Sequence, residues 1–403
     1  MSKTYSLDAA SVVAAIADAA ARWRDADFPP RVRVTEAIAK RTGYTMPVVE
    51  YAIDRLFFPL DAATITTAIT QEIGDAAALD RFVERGGTRA RAYPVGKVVI
   101  VSSETTIGVA LVPAIYALCA KCPVLVKDRE DALVGAFFAT LAEESPELAT
   151  RAEAQVWKGG DAKGDRDLRL ADAVVAFGRD ASLAEIRRVL RPGARFIAHG
   201  HRASIGYVSA KTLNDPEAAR AAAAGAARDL VLYDGEGCMS LHALFVERAG
   251  GMGPGEFARM LVDAAAVASV EFPAGRIDAR VAAYCTGAAF RSALGRGAVF
   301  RTPSADATVV IDPPLHEPPP LLPRILPVYS VDAPEDCLEY VRSHALPLEA
   351  VALSDFAEEL LELGARLGAV RITRLGELQA PSPALHHGGR ARIADFIQWI
   401  DVA

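Results

Sequence analysis

From Lys97 onward, short runs of β-branched residues alternate with longer helical runs, and this alternation restricts the fold more than any other property of the chain. "KVVIVSS", "PVLVK", "AQVW", "DAVVAFG" and "RFIAHG" are separated by "IGVALVPAIYALCA", "DALVGAFFATLAEE" and "SLAEIRRVL". The short runs are apolar without polar alternation, as in strands covered on both faces. Strands and helices taken in turn predict a parallel sheet with helices on both sides. The helix "DPEAARAAAAGAARDLVLY" leads to a second alternating set, "HALFVE", "GEFARMLVDAAAVA", "VAAYCTGAAFRSALG", "AVFR" and "ATVVID". That set predicts a second α/β domain.

Before these sets, the segment from Ser6 to about Val83 is helical in pattern, with apolar residues at three and four spacing. Thr45 and Asp61 stand where N-caps are expected. The proline-dense "DPPLHEPPPLLPRILPVYS" reads as an irregular connection, and "ARIADFIQWIDVA" ends the chain with residues suited to docking. At 403 residues there is room for two cores. The expected division is a helical N-terminal segment at 1–90 packing on the cofactor domain, a nucleotide-binding domain at 91–230, a catalytic domain at 231–380, and a C-terminal segment at 381–403 returning to the cofactor domain.

A formal charge of -7, with no run of five like charges, argues against nucleic acid or an anionic membrane as main partner. "TTIGVALVPAIYALCAKCPVLV" approaches the length of a membrane span, but Pro113, Lys121 and the β-branched "PVLVK" mark a buried helix feeding a buried strand. The N-terminus carries charges throughout its Ala-rich helix and lacks the uncharged core of a signal peptide. Five scattered cysteines form no secreted disulfide framework, so a cytoplasmic setting is expected. Cys119 and Cys122 have CxxC spacing but lie late in an apolar helix and read as small buried thiols. The pairs His199 and His201, and His386 and His387, lack helix-borne metal-ligand spacing, and no metal is assigned.

Three places are candidates for chemistry. In "LYDGEGCMSLHALFVE", Cys238 follows Gly235 and Gly237, which allow a sharp turn and close backbone approach to a ligand; a nucleophile and an inert buried thiol are both compatible with the pattern. Gly178 in "AFGRDASLAEI" ends a strand ahead of a helix whose first turn could meet a pyrophosphate, or it is an ordinary corner. No GxGxxG follows the first strand of the region. In "VLVKDRE", Lys127 could bond ribose hydroxyls and Arg129 could pair with a 2′-phosphate, although a solvated charged loop would look the same.

Several segments, in order, resemble one family. "RTGYTMPVVEYAIDRLF", "YPVGKVVIVSSETTIG", "CPVLVKDRE", "DAVVAFGRDASLAEIRR", "YDGEGCMSLHALFVE" and "HHGGRARIADFIQWID" are similar to the LuxC-type acyl-CoA reductases, the fatty-acid reductases of bacterial light-emitting systems, within the aldehyde dehydrogenase superfamily. The resemblance implies an aldehyde-dehydrogenase-like α/β fold: a Rossmann-type nucleotide-binding domain, a catalytic domain carrying the cysteine, and a nicotinamide in the cleft between them. It puts Cys238 in the nucleophile's place, Lys127 in that of the lysine contacting adenosine ribose, and Gly178 at the phosphate-side turn. Thr105 falls where hydrolytic members keep an oxyanion-hole asparagine.

Two departures from the aldehyde-oxidising members stand out. Their water-activating carboxylate is missing from "FIAHGHRASIG", and "PRILPV" shows Arg324 where they carry a glutamate near the nicotinamide ribose. Both suit release of an aldehyde in place of an acid. The implied reaction is reduction of an acyl-CoA or acyl-carrier thioester by NADPH, with NADH as the alternative, through an acyl-cysteine whose thiolate needs a depressed pKa. An acyl-transferring partner protein and a homo-oligomer are expected from the same resemblance. The competing readings are an aldehyde dehydrogenase, an acyl-phosphate reductase, and a catalytically quiet subunit of a reductase complex.

Overall fold

The parallel strands form as the apolar runs predict. The computed structural model describes residues 7–103, 106–128, 132–275, 279–295 and 297–403. It divides into two units: Met1–Thr42, Val49–Gly200 and Ser382–Ala403 form the first, and Gly43–Val48 with His201–Pro381 the second.

In the first unit, β1 (Val83–Arg85) and β2 (Thr88–Pro94) make a hairpin, followed by β3 (Val98–Val101), β4 (Val124–Lys127), β5 (Ala152–Gln155), β6 (Ala173–Phe177) and β7 (Arg195–His199). The last five are parallel in the order β5-β4-β3-β6-β7. Counted from β3 this is 3-2-1-4-5, and the strand order reverses between β3 and β6, which opens a crevice at their carboxyl ends. Every residue of β3, β4 and β6 is buried. On one face Val99, Val101, Val174 and Ala176 pack against Leu168 and Leu183, from helices Ala162–Leu170 and Asp180–Val189.

The long apolar run resolves into helix Leu111–Cys119 and β4. No helix among the described residues is long and apolar enough to cross a membrane. Cys119 and Cys122 are free and buried, and burial pushes each thiol up to about 12. Asp61 caps helix Ala62–Ile73 by accepting from the Thr64 N–H at 2.7 Å. The Thr45 hydroxyl donates to the Pro273 carbonyl at 3.1 Å.

The second unit holds β8 (Ala203–Val208), β9 (Leu241–Glu247), β10 (Ala298–Arg301), β11 (Thr308–Ile311), β12 (Ile325–Val331), β13 (Leu348–Leu353) and β14 (Arg371–Arg374). Their order is β10-β11-β12-β9-β8-β13-β14, with only β10 antiparallel. Ile205, Tyr207, Phe245, Tyr329 and Val351 bury one face under helices Pro334–Ser343 and Glu358–Arg366. Helix Pro216–Val231 lies so close to the segment after β14 that a Cβ on Gly225 would sit 2.4 Å from the Leu375 carbonyl oxygen, which is why a glycine stands mid-helix.

The chain ends as β15 (Ile397–Val402), paired antiparallel with β2 in the first unit. The Glu72 carboxylate fixes the approach to it by accepting the backbone N–H groups of Arg392, Ile393 and Ala394, the last two at 2.8 and 3.0 Å.

Candidate functional site

The carboxyl edge of the first unit's sheet carries the residues singled out for a cofactor. Lys127 is the last residue of β4 and only 4% exposed, with its ammonium 5.3 Å from the Trp157 ring centre, a cation–π distance. Gly178 follows β6 directly. Its own N–H is taken by the His199 carbonyl at 3.2 Å, so the donors facing a phosphate there are those of the following helix. That helix, Asp180–Val189, has no side chain capping its first turn, which leaves N–H groups and the positive end of its dipole available. A reversed strand order, an uncapped helix start and a buried lysine fit a dinucleotide. Thr105 and Arg129 lie outside the described residues.

Beside Gly178, the rings of Phe177, His199 and His387 cluster, with His199 4.7 Å from Phe177 and 4.3 Å from His387, and Phe177 and His387 5.4 Å from each other. Burial pushes His387 well below the usual histidine value, so that ring is held neutral. No group of metal-ligating side chains occurs among the described residues.

Cys238 stands in the second unit, just before β9, and alone among the five cysteines it is not fully buried. The turn leading to it is built from Tyr233, Asp234 and Gly235, with φ of 52, 51 and 72°. Only the third tolerates that region without strain, so something must hold the first two. The holding group is Arg324, itself 2% exposed. Its Nε donates to Asp234 Oδ1 at 2.8 Å, its Nη1 to Ser269 Oγ at 3.1 Å and its Nη2 to the Phe272 carbonyl at 2.7 Å. The Arg324 N–H donates in turn to the Asp234 carbonyl at 2.9 Å. This guanidinium thus ties the turn at Asp234 to the end of helix Pro254–Glu271, and Arg324 is a support of the cysteine loop.

Beyond the turn, Ser204 Oγ donates to the Cys238 carbonyl at 2.8 Å, and Arg371 Nη2 lies 3.8 Å from Met239 Sδ. Gln379 donates to Ser240 Oγ at 2.7 Å, and that oxygen accepts the Gly237 N–H at 3.1 Å. These contacts gather at the amino ends of the parallel strands β8, β9, β13 and β14.

Two bulges disturb the register at this edge. Ser204 and Ile205 pair with Leu241 and Ala243, leaving His242 as the extra residue of β9. Ala203 and Ser204 pair with Leu348 and Ala350, leaving Glu349 as the extra residue of β13. Bulges of this kind re-aim side chains and favour the neighbourhood of active sites. His242 Nδ1 accepts the Ser204 N–H at 3.2 Å, so the neutral ring carries its proton on Nε2, and burial lowers its pKa to about 4.

The thiol itself departs from the low pKa expected of it. Burial and the Glu349 carboxylate push Cys238 up to about 11, against the opposing pull of the Cys238 and Met239 N–H groups and of Arg202. The resting group is therefore a thiol. Glu349, Ser204, His242 and Arg371 were not found from sequence; the one available signal was a single charge inside the apolar strand "LEAVAL".

The LuxC acyl-CoA reductase family model matches residues 5–399. Among solved structures, the chain is similar to an NAD-dependent aldehyde dehydrogenase from Sinorhizobium meliloti, with 15% identity and a TM-score of 0.71 over 99% of this chain and 82% of that one. Glyceraldehyde-3-phosphate dehydrogenase GapN from Methanocaldococcus jannaschii, complexed with NADP, gives 11% and 0.70 over 99% and 90%. An NAD-dependent benzaldehyde dehydrogenase from Corynebacterium glutamicum gives 14% and 0.67 over 99% and 86%. The shared fold is that of the aldehyde dehydrogenases. A comparison with curated proteins returned no match.

Two outcomes are expected at the cysteine edge. Arg324→Ala leaves Asp234 buried without its cation, so urea unfolding should show a loss of about 3–5 kcal/mol. For His242, a pKa held below the unfolded value of about 6.5 means that the folded state refuses a proton the unfolded chain accepts. Its contribution is complete above pH 6.5 and is lost as the pH falls towards 4, roughly 3 kcal/mol in all. In His242→Asn, whose Oδ1 can still accept the Ser204 N–H, that part of the acid sensitivity should vanish. A wild-type-minus-variant stability difference that stays constant between pH 7 and 4 would contradict the assignment.

Proposed function

The chain belongs to the LuxC family of acyl-CoA reductases and is an aldehyde-forming oxidoreductase, and we propose that it reduces an acyl thioester with NADPH through an acyl group carried on Cys238. The observation that carries this reading is the contrast among the cysteines. Four are buried inside cores or helices, whereas Cys238 is partly open on a turn fixed by a buried ion pair.

Cys238 sulfur attacks the thioester carbonyl, and the developing oxyanion is met by the Cys238 N–H, with the Thr105 hydroxyl as a second donor. Expulsion of the coenzyme or carrier thiol leaves the acyl-cysteine. When bound, NADPH supplies the hydride that takes this acyl group to the aldehyde level. Release of the aldehyde breaks the bond between the Cys238 sulfur and the acyl carbon, and the sulfur leaves with the electron pair and takes a proton from solvent to return to the thiol. Segment 196–206 has neither Asp nor Glu, in keeping with an acyl group that leaves as aldehyde rather than by hydrolysis.

In the cofactor unit, Lys127 binds the adenosine ribose, and the turn after Gly178 with its uncapped helix receives the pyrophosphate. Arg129, two residues after Lys127, pairs with the 2′-phosphate; Glu130 beside it works in the opposite sense. An acyl-transferring partner protein and self-association belong to the same proposal.

Cys238→Ala is expected to abolish thioester-dependent NADPH oxidation; if that activity survives, the acyl-cysteine route is wrong. Carboxylic acid made from aldehyde and NAD, with no aldehyde made from thioester, would mark the hydrolytic alternative. For cofactor choice, Arg129→Ala should raise the KM for NADPH about tenfold or more while leaving that for NADH nearly unchanged, as read by steady-state kinetics with each. Equal effects on both would remove Arg129 from 2′-phosphate recognition.

A further inference from the structure

We propose that Glu349 is the proton acceptor for the Cys238 thiol during acyl transfer and returns that proton to the departing thiolate. The proposal rests on Cys238 being the nucleophile. It begins from placement. Glu349 is the bulged residue at the start of β13, between β8 and β14, and the opening residues of both neighbours hold the cysteine loop. On one side Ser204 donates to the Cys238 carbonyl at 2.8 Å, and on the other Arg371, paired with Ala350, lies 3.8 Å from Met239 Sδ. The Glu349 side chain, 15% exposed, belongs to the strand between these two, and its carboxylate is the charge that pushes the Cys238 thiol up. Arg202 lies 3.8 Å from its Oε2 and also donates to the Leu348 carbonyl at 3.2 Å, which fixes the bulge.

The chemistry needs such a group. Burial and the adjacent carboxylate keep Cys238 protonated at neutral pH, so attack requires a base within reach. The other titratable groups facing the thiol from neighbouring elements do not serve. His242 on β9 accepts from Ser204 through Nδ1 and bears its proton on Nε2, so it has no free acceptor. Asp229, on helix Pro216–Val231, is turned to the Gly376 and Leu378 N–H groups. Arg202 and Arg371 are donors only. His201 is exposed at the entry to β8.

The step balances within the thioester and these two side chains. The S–H proton of Cys238 passes to the Glu349 carboxylate as the sulfur pair forms the bond to the acyl carbon. The tetrahedral adduct collapses by breaking the bond to the coenzyme sulfur, which leaves with that pair and takes the proton from Glu349. A free thiol and the acyl-cysteine result, Glu349 is again a carboxylate, and no oxidant or reductant takes part.

The test uses the full chain without nicotinamide. Rapid quench measures coenzyme A released from octanoyl-, dodecanoyl- and palmitoyl-CoA in a single turnover, and iodoacetamide alkylation of Cys238 across pH reports the thiol. In Glu349→Gln, acylation at pH 7 is expected to slow about 10²-fold or more, while the alkylation midpoint moves to lower pH because a negative charge has left the thiol. Glu349→Asp, which keeps a carboxylate one methylene shorter, should lie between the two. Acylation at the wild-type rate in Glu349→Gln overturns the proposal, as does an unchanged alkylation midpoint, since the carboxylate would then not stand beside the thiol. Where Glu349→Gln does not fold, Glu349→Asp decides alone, and an undiminished acylation rate ends the proposal. An acyl-enzyme that still forms in Cys238→Ala would sink the nucleophile assignment itself, independently of Glu349.

Discussion

The ion pair between Asp234 and Arg324 is the constraint on which the cysteine edge depends. Two consecutive non-glycine residues in the left-handed region are unfavourable, and a loop of that shape would relax unless fastened. Burying both charges is also costly, which is visible in the upward push that burial gives the Asp234 carboxyl. The pair persists because its hydrogen bonds are nearly all made. Asp234 receives Arg324 and the Gly275 N–H, and Arg324 reaches three acceptors. The ring of Tyr233 meets that of Tyr44 at 6.0 Å, so the short stretch Gly43–Val48 is drawn into the second unit at the same place. The proline-dense connection ends at Arg324, where it acts as the fastening of the loop.

The two sheets use opposite edges. In the first unit the reversal of strand order opens the carboxyl ends, where a helix start and Lys127 stand. In the second, the cysteine and its charged neighbours lie at the amino ends, where the strands have just begun and bulges are tolerated because few ladder bonds are lost. His242 and Glu349 are displaced from regular pairing by the same short stretch of β8, Ala203 to Ile205. One strand start thereby positions a neutral histidine that holds the backbone and a carboxylate that changes the thiol.

How far the chain could be read in advance depended on how local the physics is. The parallel strands were legible because burial on both faces leaves uninterrupted β-branched runs. Cys119 and Cys122 were legible as inert because an apolar helix end leaves them no water. Gly178 was legible as a strand–helix corner, but the loss of its N–H to His199 was not, since that bond joins adjacent strands across an intervening helix. Arg324 was noted only as a departure from a family pattern; its pairing with Asp234 joins residues 90 apart in the chain and leaves no spacing to read. Glu349 was passed over because a lone glutamate in an apolar strand looks like an edge charge until its neighbours are known.

The sequence by itself determined the class of fold and the positions of the strands, since these follow from burial and backbone preference acting over a few residues, and it singled out Cys238 through the resemblance of its ordered segments. Tertiary structure decided the state of that cysteine. A thiolate was expected from the chemistry, but the thiol's pKa is set by desolvation, by Glu349 on β13 and by Arg202 just before β8, and their sum keeps the proton on. No periodicity encodes that sum, because electrostatic interaction depends on distance in space and on exclusion of water, both of which exist only after the strands have paired.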